Sequence, residues 1–140
     1  MQLNSQLTLE ALEKSDITIC KKVSTGYLMS GANPRENCTE RVILKTRDYT
    51  LCNSVNMKEY QMDRDQCYVV VSEVVDDIKV CENISPKNLM QKGTCIGNIS
   101  RNNHNINVCK NQKDEEVKRV CLIEYSEEED VAANYLLTLT

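Results

Sequence analysis

Two short patterns of polar and apolar positions alternate along the chain. In the first, Asp or Asn is followed four residues later by Cys; the copies begin at Asp16, Asp48, Asp77 and Asn105. In three of the four copies, Val or Ile stands seven residues after the Asp. Asp and Asn are favoured helix N-caps, and the Cys and the aliphatic residue share one helical face. Each copy therefore predicts a two-turn helix.

The second pattern is a Cys with an apolar residue four positions later. Its copies begin at Cys38, Cys67, Cys95 and Cys121. Because residues four apart lie on the same helical face, each copy predicts a longer helix with the Cys near its start. Before Cys38, Asn33 and Pro34 stand in the order of an N-cap and a first-turn proline. Ser85 and Pro86 predict a similar helix start in the third repeat.

Both patterns recur with a nearly constant period. Cysteines of the first pattern recur after 32, 29 and 28 residues, and those of the second after 29, 28 and 26 residues. Two helices per period are typical of helical repeat proteins, in which each unit packs on its neighbours. The sequence therefore predicts an all-α fold in which about four helical hairpins, over residues 16–125, form a right-handed solenoid.

The two ends of the chain lack cysteine, and we predict that residues 1–15 and residues 126–140 are capping helices. The first is expected over residues 5–14, with Ser5 as its N-cap. Ser126 and Glu129 have capping-box spacing, which predicts that the last helix starts at Ser126. If one end instead docks on the other end of a second copy, the candidate assembly contacts are Leu3, Leu7, Leu12, Val131, Tyr135, Leu136 and Leu139.

Eight cysteines in 140 residues are the strongest signal in the composition. An even number at regular spacing in a small chain is typical of disulfides formed in an oxidising compartment. Pairing between repeats would strand Cys20 and Cys121 as free thiols, which are a liability in such a compartment. We therefore predict pairing within repeats: Cys20–Cys38, Cys52–Cys67, Cys81–Cys95 and Cys109–Cys121.

The composition also limits the core. Phe and Trp are absent, and hydrophobic residues make up 41% of the chain. Because large aromatic side chains bury the most area per residue, this core is expected to be thin. A disulfide that closes a loop of about 15 residues contributes roughly 3 kcal/mol, so four of them would explain how short helices remain folded.

Charge and hydropathy argue against nucleic acid and a membrane as partners. The net charge is −4, with acids and bases interspersed, which disfavours nucleic acid. No run of 18 apolar residues occurs, so no membrane insertion is expected. The N-terminus lacks the regions of a signal peptide, and we expect an extracellular or cell-surface segment whose leader is absent from this sequence. The alternative is the cytoplasm of a hyperthermophile, which the 14 asparagines disfavour.

The sequence contains no recognisable catalytic constellation. The absence of C-x-x-C disfavours zinc ribbons, redox dithiols and haem attachment. His104, the single histidine, is expected to be a loop residue and does not support a Ser-His-Asp or Cys-His site. We therefore expect a non-enzymatic protein with no cofactor, no metal and no small-molecule substrate.

Other residues are candidates for modification or binding. Asn37, Asn83 and Asn98 match the N-glycosylation sequon and are possible glycosylation sites. Tyr27 and Tyr60 fall in or near predicted connections, where an amphipathic ring could anchor a partner.

The repeated phrases resemble a known class of protein. Two copies of the first phrase are similar to tandem Cys-containing helical-hairpin repeats of archaeal and bacterial surface or secreted proteins: Asp77-x-x-x-Cys81-x-x-Ile84, and the copy from Asp48 to Val55, which ends about a dozen residues before Cys67-Tyr68. The resemblance covers residues 16–125 and implies helical hairpins with disulfides, without catalytic residues. The fourth repeat departs from the pattern, since its cap is Asn and Gln112 stands where Ile is expected.

These observations together predict an extracellular structural or adhesion and interaction module. It would act through its surface on a protein partner or on further copies of itself, in the second case as a filament subunit. The alternative is a secreted effector or inhibitor that binds and occludes a partner protein.

Overall fold

A computed structural model describes residues 3–26, 31 and 33–126 of the chain. Over these ranges the protein is helical and contains no strand, which confirms the predicted all-α class. The α-helices are α1 (Asn4–Lys14), α2 (Pro34–Thr46), α3 (Met57–Tyr60), α4 (Arg64–Ser72), α5 (Lys79–Glu82), α6 (Leu89–Asn102), α7 (Asn107–Lys110) and α8 (Glu115–Ser126). Two 3₁₀ helices cover Ile17–Lys22 and Tyr49–Asn53.

The four copies of the first sequence pattern share one local structure. In each copy, the cap side chain accepts a hydrogen bond of 3.0 or 3.1 Å from the backbone N–H two residues later. The pairs are Asp16 with Thr18, Asp48 with Thr50, Asp77 with Lys79 and Asn105 with Asn107. Asn replaces Asp in the fourth copy without loss because the cap requires only a side-chain oxygen acceptor.

The helices that follow these caps differ from the predicted two-turn helices. Two of them are 3₁₀ helices, and α5 and α7 have four residues each. The reason is that, in every copy, the carbonyls of the cap and of the Cys each accept from the N–H three residues later. This is 3₁₀ spacing, in which residues three apart eclipse each other. Cys20 and Val23 therefore bury the same face of the first 3₁₀ helix, and Cys52 and Val55 that of the second.

The predicted start of one longer helix, α2, is confirmed, and that of another, α6, is wrong. Asn33 caps α2 as predicted, because its Oδ1 accepts from the N–H groups of the second and third helical residues. The predicted start at Ser85 and Pro86 is wrong: α6 begins at Leu89, after Asn88. The Ser85 carbonyl accepts from Asn88 N–H, which closes a turn with Pro86 in its second position. Cys95 is accordingly in the middle of α6 and not near its start.

The described residues form two compact units, divided between Val71 and Ser72. Each unit contains two of the four cysteine hairpins. In the first unit, α1 packs on the first 3₁₀ helix and on α2, burying Leu7 and Ala11.

The predicted N-cap of the first end segment, Ser5, is wrong. Helix α1 begins at Asn4 rather than at Ser5, and its first turn is closed by Leu3 N–H, which donates to Gln6 Oε1 at 3.1 Å. Ser126 is the last residue of α8, where its hydroxyl donates to the Ile123 carbonyl at 3.1 Å. Glu129 and the predicted last helix lie outside the described residues.

In the second unit, α6 and α8 pack along each other at glycine positions. A Cβ atom on Gly93 would stand 2.6 Å from Val120 Cβ, and one on Gly97 would stand 2.6 Å from Glu124 Cβ. No real side chain tolerates such distances, so these two glycines set how closely the helices approach.

The polar side chains at this packing are satisfied. Asn98 is 1% exposed, donates to Ser72 Oγ at 2.9 Å and accepts from Arg101 at 3.1 Å. Arg101 also donates to the Glu124 carbonyl at 2.7 Å, which joins α6 to α8. A buried amide with donors and acceptors engaged stabilises one specific arrangement of the helices.

Gly93→Ala should destabilise the protein by about 1–3 kcal/mol, because the added methyl group overpacks the contact between α6 and α8. Met90→Ala, on the same helix with a side chain 64% exposed, is the control and should change stability by less than about 0.5 kcal/mol. Urea denaturation followed by circular dichroism measures both. Helix propensity alone gives the opposite sign, a gain of about 1 kcal/mol for Gly93→Ala, and that result would disprove the close contact.

Candidate functional site

All eight cysteines form disulfides, and the bonds join the cysteines within each repeat. They connect Cys20 with Cys38, Cys52 with Cys67, Cys81 with Cys95 and Cys109 with Cys121, at sequence separations of 18, 15, 14 and 12 residues. Each cysteine is no more than 1% exposed. Thiol–disulfide exchange requires that an attacking thiolate reach a sulfur atom, so these bonds are built for structure and not for redox chemistry.

Removing one disulfide by paired Cys→Ser substitution should lower the free energy of unfolding by about 3 kcal/mol. Because the four loops differ little in length, the loop-closure difference between the longest and shortest is only about 0.4 kcal/mol. The four paired variants should therefore be similarly destabilised, and reduction of all four bonds should abolish most of the helical circular dichroism at 37 °C. Full helicity and an unchanged melting temperature after reduction would show that packing alone holds the fold.

The three sequons differ in accessibility. Asn98 and Ser100 are both buried, so the folded protein has no room for a glycan at Asn98. Asn37 is exposed, but its sequon continues through buried Cys38 and Thr39. At the third sequon, Asn83 and Ser85 are both exposed, although the Asn83 amide donates to the carbonyls of Lys79 and Val80.

Two of the single candidate residues have structural roles. Tyr60 is 1% exposed and belongs to the core of the first unit, so it is not an exposed binding anchor; Tyr27 lies outside the described residues. His104 has a left-handed backbone with φ of 53° and directly precedes a repeat cap. Ser15 and Arg47 occupy the equivalent positions with φ of 50° and 57°. The position of His104 before Asn105 is therefore a turn position shared by three of the repeats.

The candidate assembly contacts at the N-terminal end differ in solvent exposure. Leu7 is buried, Leu12 is half-buried and Leu3 is 63% exposed. Helix α1 is tied to the first unit by hydrogen bonds between Asn4 and Ser24 and from Lys45 to the Leu12 carbonyl. The predicted contacts at the other end, Val131, Tyr135, Leu136 and Leu139, lie outside the described residues.

One charged cluster in the first unit joins a lysine, a glutamate and a tyrosine. Lys21 Nζ stands 3.0 Å from Glu59 Oε2 and 5.4 Å from the centre of the Tyr60 ring. The hydrogen bond to Glu59 raises the pKa of Lys21, the hydrogen bonds from Asn56 and Lys21 lower the pKa of Glu59, and burial raises the pKa of Tyr60. Each shift favours the charge state that the group already has at neutral pH, the opposite of what proton transfer requires.

A groove of about 460 Å³ is found in the second unit, beside the start of α6. It is lined by Pro86, Leu89, Lys92, Asn111, Gln112, Lys113, Asp114 and Val117. The proline, leucine and valine are apolar surfaces, and the two lysines and the two side-chain amides supply polar groups. Its walls thus come from the turn before α6, from α6 itself, from the connection between α7 and α8, and from the first turn of α8.

The charged groups of this groove differ in whether they have hydrogen-bond or ion-pair partners. The Asp114 carboxylate caps α8, accepting from Glu116 N–H at 2.9 Å and Val117 N–H at 3.1 Å. Lys92 and Lys113 have neither an ion pair nor a hydrogen bond through their ammonium groups to any described residue. The groove therefore offers two positive charges beside an apolar surface.

Metal binding and membrane insertion find no support in the described part of the chain. There, no group of three or more His, Cys, Asp or Glu side chains is arranged to hold a metal ion. In the same ranges, no helix combines the length and apolar character needed to cross a bilayer.

Comparisons with protein-family models, with curated proteins and with solved structures find no match to this chain. The resemblance to tandem helical-hairpin repeats therefore stays a prediction.

Two features of the second unit were missed by sequence reasoning. Gly93 and Gly97 stand four residues apart, which is the spacing of small residues at close helix contacts, and this signal was present in the sequence. The presence of Lys92 and Lys113 at one groove had no such signal, because it depends on the packing of separate elements.

Acid should remove the contribution of Asp16 to stability. The hydroxyl and N–H of Thr18 both donate to its carboxylate, which lowers the pKa of Asp16 in the folded chain. Its stabilisation is therefore present above the unfolded pKa and lost as the pH falls through the folded pKa. Asp16→Asn keeps an acceptor oxygen but does not titrate. Urea denaturation between about pH 7 and pH 2 should show wild type losing stability relative to this variant below about pH 4; a constant difference would contradict the assignment.

Proposed function

We propose that the protein is a non-enzymatic binding module that works outside the cell or at the cell surface. The observation that carries the proposal is the set of four buried disulfides, each closing its own hairpin. Such bonds persist in oxidising compartments and are rare in cytosolic proteins. The proposal includes a right-handed solenoid of about four hairpins, as in the surface and secreted repeat proteins that the sequence resembles.

The chemistry of the described side chains favours binding over catalysis. The cluster of Lys21, Glu59 and Tyr60 holds each group in its ordinary charge state. The groove of the second unit presents two lysines and an apolar wall, and its one carboxylate, Asp114, caps α8. Charged groups arranged in this way recognise a surface of opposite charge, and they contribute to the specificity of binding rather than to catalysis.

Self-assembly is a second candidate function, because two large apolar side chains are exposed on α1 and at the residue before it. Leu3 is 63% exposed and Leu9 is 57% exposed. Isolated exposed leucines are common on monomers. Two other apolar residues of α1, Leu7 and Ala11, are packed inside the first unit. This arrangement fits an N-terminal helix that closes the core, so we place binding of a different protein ahead of assembly.

Light scattering coupled to size exclusion separates the two candidates. A partner-binding module should remain monomeric as its concentration rises through the millimolar range, whereas an assembling subunit should grow in mass. Under the assembly alternative, Leu9→Ser or deletion of residues 128–140 should restore the monomer without unfolding the chain. Met90→Ser, which changes an exposed apolar residue of the second unit, is the matched control. A mass that increases with concentration in the full chain would overturn the preference for a separate partner.

A further inference from the structure

The groove of the second unit has the properties of a recognition site for a short peptide. Its apolar wall consists of Pro86, Leu89 and Val117, and Lys92 and Lys113 lie at the same groove. A volume of about 460 Å³ is within the range of sites that hold small ligands or a few side chains. What distinguishes this groove is its unsatisfied charge.

Three acids at or beside the groove have partners, whereas the ammonium groups of its two lysines have none among the described residues. Asp114 accepts two backbone N–H groups, Glu115 pairs with Lys118 at 3.8 Å, and Glu116 pairs with Arg119. The ammonium groups of Lys92 and Lys113 have no partner among the described residues. The two lysines outnumber Asp114, the one carboxylate that lines the groove, and this excess of positive charge is complementary to a ligand that brings carboxylates.

The apolar wall narrows the chemistry of that ligand. A free inorganic anion would use the lysines alone and would leave Leu89 and Val117 uncovered. A peptide that combines carboxylate side chains with an apolar side chain would cover both surfaces. Asn111 and Gln112, also on the wall, carry side-chain amides that can pair with a peptide backbone.

We propose that this groove binds an acidic peptide segment of a partner protein, with carboxylates at Lys92 and Lys113 and an apolar side chain on Leu89 and Val117. The inference rests on the proposed binding function and deepens it, because it names the surface and the chemistry of the partner. The lysines provide charge recognition, and the apolar wall selects segments that combine acidic and apolar residues.

The probe for this site is a short, end-blocked peptide of alternating glutamate and leucine, titrated into the full oxidised chain. Methyl resonances of Leu89 and Val117 should shift on binding, and affinity should fall with rising ionic strength. The double variant Lys92→Gln/Lys113→Gln should bind about fivefold more weakly, as expected for two exposed ion pairs. Lys58→Gln, which makes the same charge change on exposed α3 in the first unit, should bind like wild type.

The same experiment contains the results that would overturn the proposal. If the protein binds the glutamate peptide and a copy with glutamine in place of every glutamate equally tightly, charge has no role in binding. Resonance shifts confined to the first unit would place the site elsewhere. If Leu89 and Val117 shift on raising the concentration of the protein alone, a second copy occupies the groove, and both this inference and the proposed preference for a separate partner fail. A monomeric, folded protein that does not bind the peptide would reject the inference alone. Circular dichroism of each variant verifies that it is folded.

Discussion

The disulfide bond that joins each cysteine-containing short helix to a longer helix is the constraint on which the rest of the structure depends. A helix of four to six residues has too few backbone hydrogen bonds to persist alone. Here four of these helices each follow an Asp or Asn whose side chain accepts from the backbone N–H two residues later, and each of the four contains a cysteine that is covalently joined to a longer helix. The sulfur atoms are also buried as core groups, so the disulfides supply both cross-linking and packing in a chain without Phe or Trp.

Local features of this design could be predicted from the sequence because their causes are local. The caps at Asp16 and Asp48 depend only on a side-chain oxygen near the following N–H groups. The cysteine pairing follows from even numbers and regular spacing. The length and type of the short helices were harder to predict. A backbone N–H can bond to the carbonyl three residues earlier, as in a 3₁₀ helix, or four residues earlier, as in an α-helix, and this choice depends on backbone geometry that composition does not reveal. Ser85 and Pro86 show the same ambiguity, since proline suits the second position of a turn as well as the first position of a helix.

Features that join distant parts of the sequence could not be predicted in the same way. The close contact of α6 with α8 depends on glycines in one helix and on the backbone of another. The groove brings Lys92 to Lys113 only when that contact is formed and the turn at Pro86 is in place. The division between Val71 and Ser72 likewise interrupts a regular period without any change in composition. Periodicity identified the repeats, but it did not reveal which of them pack together.

The short separation of every cysteine pair has a consequence for biogenesis. No bridge spans more than 18 residues, and the four loops follow one another without overlapping. When such a chain emerges from a ribosome or a translocation pore with its N-terminus first, each cysteine meets its native partner before the cysteines of the next loop appear. Oxidation in order of emergence therefore produces the native pairs directly. A chain of this design has little need of disulfide reshuffling, even though eight cysteines permit 105 complete pairings in principle.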